Sequence, residues 1–159
     1  MATLLVSFAL SACGVSYPQG APGKTAANPV VQASSLKSDL VALLDRLLAQ
    51  DDVMTAEANK ATTTADKLRF TKQAYLGLFS ATTQVQERAD DLNLNPFEAK
   101  KRKLILDETA SSLWKLRYLE KEGAAKAKDD QARLDLYERL HTDALQSLNR
   151  VRDILNGRG

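Results

Sequence analysis

The segment LDLYERLHTDALQSLNRVRDIL, residues 134–155, decides the fold. In it Leu134, Tyr137, His141, Ala144, Leu148, Val151 and Leu155 recur at alternating steps of three and four, with Leu140 and Ile154 beside them. Steps of three and four gather side chains on one side of an α-helix, whereas a half-buried strand alternates with period two. The stripe predicts an amphipathic helix that starts near Asp129 or Asp130 and stops at Asn156-Gly157.

A helix with one apolar side needs partners to cover it, and the sequence upstream supplies three. Leu36, Leu40, Leu43, Leu47 and Met54, widened by Leu44 and Leu48, predict a first helix capped at Ser34 or Ser35 and running to about Lys60. Thr62-Thr63-Thr64 is poor helical interior because β-branched side chains are restricted there. Thr63 with Asp66 three residues on resembles a capping box, so a turn and a second start are expected at that point. The second helix has a thinner stripe of Leu68, Tyr75, Leu78, Val85, Ala89 and Leu92, with Phe79 beside it and Thr71 and Thr82 on the same side.

Asn95-Pro96-Phe97-Glu98 opens a third helix. Asn95 suits the cap, Pro96 the first helical position, and Glu98 the positive end of the helix dipole. Leu104, Ile105, Leu113, Leu116 and Leu119 mark its inner side, and Gly123 is expected to end it. Trp114 and Tyr118, at i and i+4, are expected to pack together at the core edge or in a groove. Four amphipathic helices of about 25–30 residues joined by short turns predict an all-α, up-down bundle over 34–156. An elongated helical hairpin or a dimeric coiled coil fits the same periodicity.

Composition agrees. Between Ser34 and Asn156 there are only two glycines, Gly77 and Gly123, and one proline, Pro96, so few residues interrupt helices. Lys and Arg number 22 against 20 acidic residues, a net charge of +2, which sets up no global field for nucleic acid. One cysteine rules out a disulfide framework within the chain.

That cysteine stands in Leu10-Ser11-Ala12-Cys13, after the apolar run at residues 2–9. An apolar segment, two small residues and a lone Cys resemble the lipobox of bacterial lipoproteins. The resemblance implies a signal peptide over 1–12, cleavage before Cys13, and acyl chains on that residue that attach the protein to a membrane. Residues 13–33, with Pro18, Pro22, Pro29, Gly20 and Gly23, have too few apolar residues to bury and read as a flexible tether. Gly14 stands where some inner-membrane lipoproteins have Asp, so the resemblance points to the outer membrane, facing the periplasm. Export signals open on a basic segment, and the first cation here is Lys24. The resemblance therefore implies a start upstream of Met1. The alternative is a cytosolic helical adaptor with an apolar start and a free thiol.

Candidate chemistry is sparse. Glu138-x-x-His141 has the spacing of di-iron bundles, but His141 is the only histidine and such sites need two. It reads as a half-buried bundle residue, and neither a metal nor another cofactor is expected. Scarce glycines exclude a phosphate loop, and there is no Gly-x-Ser-x-Gly elbow. Lys100-Lys101-Arg102-Lys103 is the one dense basic run. Four successive helical residues point in four directions, so it reads as a solvated helix start or as a contact with acidic headgroups or cell-wall carboxylates.

One further resemblance is to exported all-helical chorismate mutases. Arg46 in the first helix, Lys60, Asp66-x-x-Arg69 and Leu94-Asn95-Pro96 are laid out in that order, with Glu108 as the candidate acid. That resemblance implies a site in which fixed charges hold and polarise a dicarboxylate. The lipobox resemblance and the helical stripes together lead to the expectation of a lipid-anchored helical domain without catalytic residues. Trp114, Tyr118 and Lys100 to Lys103 are its candidate surfaces for a protein or envelope partner, and a homo-oligomer is compatible with the stripes.

Overall fold

The structure is a computed structural model describing residues 35–92 and 96–158. Cys13, the signal and the tether expected over 1–33, and the Asn95 cap lie outside the described residues. Four helices follow in order: α1 (Leu36–Lys60), α2 (Thr64–Asp91), α3 (Pro96–Lys126) and α4 (Asp130–Leu155). They pack as an all-α up-down bundle. The direction of each helix is visible in its cross-links: Asp39 at the start of α1 meets Arg88 at the end of α2, and Glu108 early in α3 meets Arg150 late in α4. The two parallel helices α2 and α4 form the central pair. The helix α1 packs chiefly on α2, α3 packs on α4 and α2, and α1 and α3 barely meet.

The starts of the helices follow side-chain chemistry. Ser35 accepts from the Ser38 N–H at 3.4 Å, Thr63 from the Asp66 N–H at 3.1 Å, and Asp129 from the Ala132 N–H at 2.8 Å. Each cap satisfies an N–H that the first turn would otherwise leave open and stabilises by about 1 kcal/mol. Thr63 also donates to the Asp66 carboxylate at 2.8 Å. α4 ends in a Schellman motif. The Arg158 N–H donates to the Asp153 carbonyl at 2.8 Å, and the Gly157 N–H donates to that of Ile154 at 3.1 Å. Gly157 adopts φ 73°, a conformation costly for any side chain with a Cβ.

The core joins Leu36, Leu40, Leu44 and Leu47 of α1 to Tyr75, Leu78 and Val85 of α2, Ile105 and Leu116 of α3, and Leu140, Leu148, Val151 and Leu155 of α4. The structure departs from the expected faces in three places. Leu44, not Leu43, lies in the fully buried line of α1. Leu104, expected on the inner side of α3, is exposed. Gly123 does not end α3, which runs on to Lys126. A Cβ at Gly123 would clash with the Leu136 side chain, so this glycine lets α3 and α4 approach closely. Leu136 is buried at that contact.

Candidate interaction site

α3 divides its side chains between two directions. On its inner side the acidic residues are committed to the bundle. Glu120 accepts from the Tyr75 hydroxyl at 3.0 Å and from the Tyr137 hydroxyl at 3.2 Å, tying α3 to both central helices. Glu108 accepts from the Ser147 hydroxyl at 2.8 Å and pairs with Arg150 at 2.8 Å. The buried Thr109 hydroxyl donates to the Ile105 carbonyl at 2.9 Å. Burial, and then the adjacent Glu120 charge, push the Tyr75 hydroxyl well above the ordinary tyrosine range; the Tyr137 hydroxyl is raised for the same two reasons.

The outer side of α3 carries aromatic surface. Trp114 is 71% exposed and Tyr118 is 53% exposed. Their rings stack with planes 4° apart and centroids 5.7 Å apart. The expected pairing therefore forms, but on open surface and neither at a core edge nor in a groove. Leu104, 43% exposed, lies further along the same helix. Contiguous exposed apolar surface marks contact sites, whereas single scattered apolar residues do not.

The basic run splits, as consecutive helical residues must. At about 100° per residue, Lys100, Lys103, Tyr118 and Lys121 all fall within roughly 40° of Trp114 around α3, while Lys101 lies on another side. Lys103 is paired with Asp107 one turn on. Arg102 is turned back to α2, where its guanidinium donates to the Leu92 carbonyl at 3.2 Å. That bond closes the C-terminal end of α2, so Arg102 leaves the candidate contact set. Lys121, which the sequence reading passed over, joins it on helical position alone.

His141 and Glu138 do not act together. His141 Nε2 lies 2.8 Å from an Asp51 carboxylate oxygen, with the two side chains 16% and 6% exposed, while Glu138 pairs with Lys67 at 2.8 Å. His141 thus joins α4 to α1. Among the described residues no group of three His, Cys, Asp or Glu side chains could hold a metal ion. Of the residues in the mutase-like layout, Lys60 pairs with Glu57, Arg69 with Asp66, and Glu108 with Arg150. Arg46 lines a shallow groove beside Asp39 and Arg88.

A separate apolar groove of about 570 Å³ lies between α1 and α2, lined by Leu47, Val53, Met54, Ala74, Gly77 and Leu78. Gly77 opens it, since a Cβ there would touch nothing within 4 Å. No family model, no curated protein and no solved structure matches this chain.

Proposed function

We propose that this is a lipid-anchored cell-envelope protein whose four-helix domain acts by contact with another envelope component, through the outer side of α3. The anchor rests on Leu10-Ser11-Ala12-Cys13 and on the Pro- and Gly-rich segment behind it. The contact rests on one observation above all: Trp114 and Tyr118 stack on each other in solvent. Trp and Tyr supply large, stiff contact area, and they are enriched where proteins meet partners. Outer-membrane attachment facing the periplasm is the location this reading favours.

Two measurements test the parts separately. Labelled palmitate is expected to enter the wild-type protein and not Cys13→Ala, and Cys13→Ala is expected to leave the membrane fraction. An unlabelled wild-type protein contradicts the anchor. For the contact, a photo-crosslinking residue is placed at position 118 and, as a control, at exposed Gln84 of α2. Adducts with envelope components are expected from 118 alone; equal yield from both positions contradicts a role for α3.

A further inference from the structure

The occupant of the α3 face can be narrowed, given the contact reading above. We propose that it is an anionic lipid surface, met along the length of the helix. Three observations favour it. The first is the sorting of charge. Glu108 and Glu120 are drawn into the bundle by Arg150, Ser147, Tyr75 and Tyr137. On the outer side Asp107 is matched by Lys103, and Glu122 by Lys126 at 3.5 Å. Lys100 and Lys121 remain exposed with no carboxylate partner among the described residues. With its acids each matched by a lysine, the face keeps Lys100 and Lys121 in excess, a balance complementary to negative charge.

The second is the mix of groups. Trp and Tyr rings favour the headgroup level of a bilayer, and lysines beside them extend their stems along apolar surface with the ammonium in water. Trp114, Tyr118 and Leu104 between Lys100 and Lys121 supply that combination. The third is shape. Lys100 to Lys121 covers about 32 Å along the helix. Contact groups strung along a line of that length suit a plane better than a pocket. A second copy of the chain would instead bring a net positive face against another of the same kind.

The full-length chain carrying Cys13→Ala removes the acyl anchor and keeps everything else. Trp114 is the only tryptophan, so intrinsic fluorescence reports this face alone. With vesicles of phosphatidylcholine and phosphatidylglycerol, the emission is expected to shift to the blue and the protein to sediment with the lipid. Pure phosphatidylcholine is expected to do neither, and added salt to reverse the binding. Lys100→Ala and Lys121→Ala are each expected to weaken binding on the order of fivefold, with the helical circular dichroism unchanged.

No shift and no sedimentation with the anionic vesicles overturns the proposal, as does binding left untouched when Lys100→Ala and Lys121→Ala are combined in one chain. A blue shift that depends on protein concentration without lipid means a second copy is the occupant, which also overturns it. Envelope-protein adducts at position 118 without vesicle binding retain the α3 contact and reject its lipid occupant.

Discussion

The helices α3 and α4 are neighbours of similar length, with opposite uses of their apolar residues. α4 hides its set: Leu134, Leu136, Tyr137, Leu140, Leu148, Val151 and Leu155 are all buried. Among the described side chains of α3, Ile105 and Leu116 are the fully buried large apolar residues, and Leu104, Trp114 and Tyr118 stand in solvent. Hydrophobic burial stabilises α4's position directly. α3 relies more on polar ties: Glu120 to two tyrosines, Glu108 to α4, and Lys115 to Asp143 at 3.0 Å. A helix held this way can carry an apolar surface on its far side without exposing the core.

The sharpest break of this comparison is a cavity in the buried helix. Leu140→Ala is expected to destabilise by about 2–5 kcal/mol, since a fully buried leucine leaves both lost transfer energy and a void. Urea unfolding followed by circular dichroism measures it. Next comes the polar tie. Glu120→Ala leaves the Tyr75 and Tyr137 hydroxyls without their acceptor and is expected to cost about 1–3 kcal/mol in the same assay.

A third effect appears only at alkaline pH. Both hydroxyls hold their protons more tightly in the folded chain than in the unfolded one. Their contribution is complete below the ordinary tyrosine value near 10. It is lost as the pH climbs above that value toward the raised folded ones. Thermal melts across that range are expected to fall more steeply for wild type than for Tyr75→Phe. The smallest effect is at the outer side of α3. Trp114→Ala is expected to change stability by no more than about 0.5 kcal/mol, although it removes the largest side chain in the protein.

The same contrast explains what was legible in the sequence. The single unbroken stripe of α4 is periodic because one side of it is buried from end to end, and its start at Asp129 and its stop at Asn156-Gly157 were readable from local chemistry. The Thr63 and Asp66 start of α2 was readable for the same reason. α3 mixes an inner and an outer apolar set, so periodicity alone assigned Leu104 to the wrong side.

Gly123 shows a second limit. A glycine after Lys121 looks the same whether it ends a helix or admits a neighbouring one, and only the position of Leu136 distinguishes the two. Pairs such as Asp51 with His141, or Glu120 with Tyr75, join residues far apart in the chain, and no local pattern announces them. Trp114 and Tyr118 were found by their i, i+4 spacing. Their exposure depends on which side of α3 faces α4, and that requires the assembled bundle.

What most needs testing is that α3 presents its aromatic pair to solvent while α4 buries its apolar set. Acrylamide quenching of the sole tryptophan tests it directly. In the folded Cys13→Ala chain, free of lipid, Trp114 is expected to be quenched nearly as readily as in the urea-unfolded chain. Strong protection in the folded chain, lost only on unfolding, would contradict it.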